Sequence, residues 1–248
     1  MEGRRNMAYI VAIDGPAGSG KGTITKLVAK DMGLVSIDTG MLYRCHALAV
    51  LQNNIDISNE KQVEDILDKI DINLINKNNK QNVFLDGEDV TGKIRTPEVT
   101  NIVSRTSSIL GVRDKITKLE RKIGYEWLKE GKNIIMEGRD ITTVVFPEAK
   151  VKIYLDATPI ERAKRRCRQN KRNGINQPFE EVLQSIMERD KNDMNKKVGA
   201  LKKAPDAIYV DSSKSSVNKI KHKIIKIIKD KTKENKNEHY KKNIKSNS

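Results

Sequence analysis

The stretch YIVAIDGPAGSGKGT, Tyr9 to Thr23, constrains the fold more than any other part of the chain. Tyr9–Ile13 is a short apolar run ended by Asp14-Gly15-Pro16, the pattern of a buried strand running into a turn. Beyond the turn, TITKLVAKDMG places Ile24, Leu27, Val28 and Met32 at helical spacing, with Gly33 as a stop. Strand, glycine loop and helix in that order make a phosphate cradle. Gly15, Gly18, Gly20 and Gly22 let successive backbone N–H groups turn inward without a Cβ clash. The helix start offers its positive dipole end, and Lys21 adds a point charge. Gly15, Pro16, Ala17, Gly18, Ser19, Gly20, Lys21, Gly22 and Thr23 are therefore expected around the phosphates of a nucleotide. One position departs from the strict G-x-x-x-x-G-K-[ST] pattern, whose last hydroxyl ligates Mg²⁺. Gly22 stands there, and Thr23 follows one residue later.

Asn133–Gly138 (NIIMEG), Val151–Asp156 (VKIYLD) and Ala207–Asp211 (AIYVD) repeat the buried-strand pattern, each followed by loop or helix. Short apolar strands alternating with helices argue for a parallel α/β sheet. The middle differs: DINLI and NVFLDGEDV alternate apolar and polar residues around the polar loop NKNNKQ, which reads as a small antiparallel excursion. Helices follow around NIVSRTSSIL and VRDKITKLERKIGYEWL. At 248 residues the chain is one domain with insertions. The expected division is a core of residues 8–43, 132–160 and 205–233, an insert over 44–131, a lid with its following helix over 161–204, and a disordered polar tail over 234–248.

No stretch approaches the ~20 apolar residues of a membrane-spanning helix, and the N-terminus lacks the apolar run of a signal peptide, so a soluble cytoplasmic protein is expected. Cys45 and Cys167 lie far apart, which favours reduced thiols. The three histidines are scattered, and neither a zinc site nor a histidine-based nucleophile is evident. The net charge of +15 is concentrated in two places. Lys214–Ser248 carries twelve lysines against Asp230, Glu234 and Glu238, a net of +9, and Glu161–Arg172 carries a net of +6. Aromatic residues are 4% of the chain, so single-strand stacking on nucleic acid lacks its usual equipment. In the tail, Val217, Ile220, Ile224, Ile227 and Ile228 share a helical face opposite lysines. That face reads first as a core helix, with a membrane-surface helix as the alternative.

Five further segments carry a resemblance. SIDTGMLYR (36–44), GEDVTGKIRTPEV (87–99), EGRDITTVVFPEAKVKIYLDA (137–157), ERAKRR (161–166) and ERDKNDMNK (188–196) follow the glycine loop in an order and spacing that resembles bacterial-type cytidylate kinase. The similarity spans roughly residues 8 to 211, and the GKGT ending of the loop resembles that of nucleoside monophosphate kinases. The resemblance implies Mg·ATP-dependent phosphorylation of CMP and dCMP by a monomer with a P-loop kinase fold: a parallel sheet flanked by helices, a small inserted CMP-binding domain and a basic lid. Another pyrimidine monophosphate kinase, acting on UMP as well, is the alternative. A P-loop protein that binds RNA or membrane through its tail is a third reading.

The chemistry agrees with the resemblance. An acceptor phosphate is mostly dianionic at neutral pH and needs positioning and positive charge more than a base. Arginine forks suit that task. The resemblance assigns Lys21, Arg139, Arg189 and the lid arginines Arg162, Arg165 and Arg166 to transfer. Thr39, Arg44, Arg95, Arg139, Arg189 and Lys196 are expected around CMP; Ser104, Arg113 and Asp140 would read the cytosine, and Asp193 the ribose. Thr23, Asp38 and Glu137 are the candidates to serve Mg²⁺, the two carboxylates through water. Two residues depart from the family: Lys196 stands where arginine is usual, and Thr142 where glycine is common.

Overall fold

The computed structural model describes residues 8–77, 80–172 and 174–245. Five parallel strands form the main sheet: β1 (Ile10–Asp14), β2 (Val35–Asp38), β6 (Ile134–Gly138), β7 (Val151–Asp156) and β8 (Ile208–Asp211), in the order β2-β6-β1-β7-β8. Every residue of β1 is buried, as a strand covered on both faces requires. Full burial of each large aliphatic side chain there contributes about 1.5–3 kcal/mol. The glycine loop leaves the carboxyl end of β1, the edge at which open α/β sheets bind ligands.

Helix α1 (Lys21–Met32) begins straight from the loop and ends at Gly33, as its sequence predicts. Its apolar face packs with α8 (Val217–Lys245) on one side of the sheet, joining Ile24 and Val28 to Ile220, Ile224 and Ile228. The isoleucine face of the tail is thus part of the core. No helix among the described residues is long and apolar enough to cross a membrane. A disordered tail was expected from residue 234, but α8 continues to Lys245. That stretch contains lysine and glutamate, which favour helix, and neither glycine nor proline. Residues 246–248 lie outside those described.

Between β2 and β6 the chain builds a second core. Helices α2 (Gly40–Gln52), α3 (Glu60–Asp65), α4 (Pro97–Thr106) and α5 (Leu110–Lys129) surround an antiparallel sheet of β3 (Ile72–Lys77), β4 (Lys80–Leu85) and β5 (Glu88–Asp89). Thr96 caps α4 by accepting from the Val99 N–H, with Pro97 at the first helical position. The polar segment NKNNKQ is shorter as a loop than its composition suggests. β3 and β4 keep pairing as far as Lys77 opposite Lys80, because a ladder of backbone hydrogen bonds does not need apolar side chains. Helices α6 (Pro159–Arg172) and α7 (Phe179–Met194) follow β7 and pack on each other through Ala163, Val182 and Ile186.

Candidate active site at the carboxyl edge of the sheet

The loop after β1 is shaped by its glycines at two points. Gly15 has φ 153°, and a Cβ there would fall 2.0 Å from the Leu155 carbonyl oxygen. Gly20, the N-cap of α1, has φ 96° in the left-handed region. Lys21 folds back over the loop, donating to the carbonyls of Gly15 (2.6 Å) and Pro16 (2.9 Å) and to Ser19 Oγ (3.4 Å). Burial, then the charge of Arg139, bring its ammonium down to about 7.

The Gly22 position is explained by Glu137. A Cβ on Gly22 would meet Glu137 Oε1 at 3.2 Å, so a side chain after the lysine would crowd this carboxylate. Glu137 also accepts from Thr25 Oγ1 at 3.0 Å. Burial, then the charge of Asp38, push its carboxyl up to about 7. Asp38 and Glu137 are register partners on the paired strands β2 and β6, which sets the two carboxylates side by side. Thr23 is exposed in the first turn of α1.

A cavity of about 90 Å³ opens beside this loop. Lys21, Asp38, Thr39 and Glu137 line its core side. Arg44, Ser104, Ser107 and Arg113 line it from the insert. Arg139 and Asp140 come from the turn after β6, and Arg189, Asp193 and Lys196 from α7 and its end. Asp193 is the hub of that last group. Arg139 Nε donates to Asp193 Oδ2 (3.0 Å), Lys196 Nζ reaches Oδ1 (3.1 Å), and Arg189 Nε stands 4.0 Å away. Burial opposes the charge on Asp193, but Arg139, Lys196 and Arg189 overcome it and hold the carboxyl well below the usual range. The surplus is positive. Burial first, then neighbouring guanidinium groups, lower Arg44 and Arg189 each to about 10.

The residues expected to read a base are also assembled. Arg113 Nη2 donates to Asp140 Oδ2 in a buried pair, and its Nη1 to the Ser107 carbonyl at 3.2 Å. Its guanidinium lies 5.4 Å from the Tyr43 ring centroid. Gly199 closes in from the far side, where a Cβ would fall 2.1 Å from Arg113 Nη2. Sequence reasoning missed Ser107, whose hydroxyl takes the Lys196 ammonium at 3.1 Å, and Glu120, which lies buried near Asp140 and Arg113. It also missed Asp14, which accepts from the N–H groups of Ile141 and Thr142 and so anchors the turn carrying Arg139 and Asp140.

Four expected arginines sit outside the cavity lining. Arg95 faces Asp38 at 3.8 Å. Arg165 donates to the carbonyls of Gly18 and Ser19 and to Ser212, so it braces the loop from outside. Arg166 is partly buried and close enough to Arg139 to be lowered by it, after burial. Arg162 is the fourth. It was expected to close on phosphates, but its buried guanidinium is fully engaged by Ala157 O, Ala17 O and a two-point pair with Asp190. A fork held on both tines ties α6 to α7 and to the loop.

A parallel sheet in this order, a glycine loop after its first strand and a basic cavity beside that loop define a P-loop kinase, an ATP-dependent phosphotransferase. The family model described as cytidylate kinase matches residues 11–230. A cytidylate kinase of Caldicellulosiruptor bescii is 43% identical over 217 residues, covering 88% of this chain and 94% of its own. That of Limosilactobacillus reuteri is 44% identical, with 88% and 94% covered, and that of Bacillus subtilis 39% identical, with 90% and 97% covered. The chain belongs to the cytidylate kinase family.

Proposed function

We infer that the protein transfers the γ-phosphoryl group of Mg·ATP to CMP or dCMP, giving CDP or dCDP and ADP. The observation that carries this reading is the single cavity in which Lys21 meets Arg44, Arg139 and Arg189 on one side and the Arg113–Asp140 pair on the other. The loop from Gly15 to Thr23 and Lys21 hold the donor phosphates. Arg44, Arg139 and Arg189 grip the acceptor phosphate and carry the charge that builds up on the shared phosphoryl group, with Arg95 at the rim. Arg166 and Arg165 extend that charge from the lid side; Arg162 acts through Asp190 by fixing where α6 sits. Ser104, Arg113 and Asp140 read the base, Asp193 with Arg189 meets the ribose, Lys196 adds charge beside them, and Thr39 lines the core side.

A hydrated Mg²⁺ fits the adjoining carboxylates Asp38 and Glu137, because this ion keeps several waters and takes one or two carboxylates beside phosphate oxygens. When bound, it neutralises charge on the transferring phosphates. In this reading Thr23 serves the donor phosphates from the first turn of α1 and meets the ion indirectly. The domain division supports the same picture, with a core carrying the donor, an insert over 44–131 carrying the base reader, and a lid over 161–204. The enzyme works as a cytoplasmic monomer on small molecules, without a nucleic-acid partner.

The test is diphosphate formation from CMP, dCMP, UMP and AMP, each with Mg·ATP. CMP and dCMP should lead clearly. Equal turnover of UMP would remove the base-reading roles of Ser104, Arg113 and Asp140, and no turnover of any acceptor would overturn the reading.

A further inference from the structure

A second and larger cavity, of about 450 Å³, lies beside the start of β2. Three segments distant in sequence enclose it: α1 with the turn after it, the register pair Asn76 and Gln81 on β3 and β4, and the end of α5 with the residues that follow. Its volume falls within the range of small-molecule sites.

The lining is one-sided in charge. Lys26, Lys30 and Lys132 contribute ammonium groups, and no carboxylate lines the cavity among the described residues. Lys26 and Lys30 form no ion pair there, whereas Lys132 leans on Glu130 at 2.8 Å. The hairpin contributes donors as well. Gln81 accepts from the Asp38 N–H at 2.8 Å, which fixes its amide orientation and leaves Nε2 as a donor. That nitrogen, and Nδ2 of Asn76, are buried without a partner. Buried amide nitrogens normally find one, so two orphan donors on one hairpin wall are uncommon. Trp127 supplies a planar wall, with the Lys132 ammonium 4.4 Å from its ring centroid.

We propose that this cavity is a second ligand site, for an oligophosphate anion, free or borne by a nucleotide. Clustered ammonium groups match the many acceptor oxygens of such a chain. The indole face and the cavity volume leave room for a base. A ligand here bridges α1 to the hairpin and therefore bears on β2, whose Asp38 N–H is held by Gln81. The site depends on no step of phosphoryl transfer.

Trp127 is the sole tryptophan of the chain, so its fluorescence reports on this cavity directly. The experiment titrates the intact protein with tripolyphosphate and, separately, with CTP, and repeats both with Lys26→Ala/Lys30→Ala. Neither lysine belongs to the acceptor site, so CMP turnover by the variant should stay within about twofold of the parent. The expected result is a saturable change in the parent that weakens at least tenfold in the variant. A response to both probes assigns recognition to the phosphates; a response to CTP alone assigns it to the nucleotide. No saturable change with either probe, or an equal change in the variant, overturns the proposal. A response that arises at the glycine loop is separated in this way, because it survives in the variant.

Discussion

Thr142 Oγ1 donates to Asp14 Oδ2 across 2.6 Å, and the Thr142 N–H reaches the same oxygen at 2.7 Å. The residue that stands in place of a common glycine thus helps to solvate a fully buried carboxylate at the end of β1. Burial raises Asp14, and these hydrogen bonds pull it back. Thr142→Val should lower stability by about 1.5–3 kcal/mol, the worth of a hydrogen bond to a charged group. The loss has a sign in pH. It should be small in acid, where Asp14 is protonated in both states, and grow as pH rises through the raised folded-state range of Asp14. Denaturant midpoints of the variant and parent at pH 4 and pH 8 measure this, and an equal loss at both would contradict it.

Arg162 and Arg166 should separate cleanly. Arg162→Met leaves Asp190 buried without its partner, which costs about 3–5 kcal/mol of stability. The double change Arg162→Met/Asp190→Leu should recover most of that loss. Arg166→Met should unfold at the parent's midpoint yet lose kcat by about tenfold or more, as expected of a charge facing the transferring group. Unfolding curves and steady-state rates on the three variants decide between the assignments.

Lys196 offers one ammonium to Asp193 and Ser107 where the family usually has a fork. Lys196→Arg should lower KM for CMP by about two- to fivefold with kcat little changed, since a planar fork adds a second contact. Lys196→Met should raise KM instead. An unchanged KM in both would place Lys196 outside acceptor binding.

Lys21 should take up a proton when nucleotide binds. With its ammonium lowered to about 7 by burial and Arg139, it is largely neutral at pH 8. A polyphosphate beside it favours the charged form, so ATP without Mg²⁺ should draw in up to about one proton at pH 8 and much less at pH 6. Calorimetry in two buffers of different ionisation enthalpy measures this. Uptake that persists in Lys21→Met would assign it elsewhere.

Much of the fold was legible because its signals are local. β1, β6, β7 and β8 are short apolar runs, and the apolar–polar alternation of DINLI and NVFLDGEDV around NKNNKQ announces the small antiparallel sheet. β2 is harder to read: it has four residues, of which Ile37 alone is buried. Its strand character comes from pairing with β6, and no pattern within VSID encodes that. The cavity residues were legible through whole motifs, and the structure brings nearly all of them together. What stayed hidden depends on partners far along the chain. Arg162 looks like the other lid arginines until Asp190 arrives from α7. Thr142 looks like a defect until Asp14 is seen beneath it, and the second cavity needs three segments that share no motif.

The chain leaves the main sheet at Asp38 and rejoins it at Ile134, on two strands that are hydrogen-bonded neighbours. Every insert residue proposed to read the acceptor's base is therefore spliced in at one seam, with both cut ends next to each other. Such a segment behaves as a cassette. A different reader could be grafted between β2 and β6 while the phosphate cradle, its helix and every strand pairing of the donor half stay in place. New acceptors would then demand a new insert with matched contacts at Asp38, Asp140 and Lys196, and no rebuilding of the engine that moves the phosphoryl group.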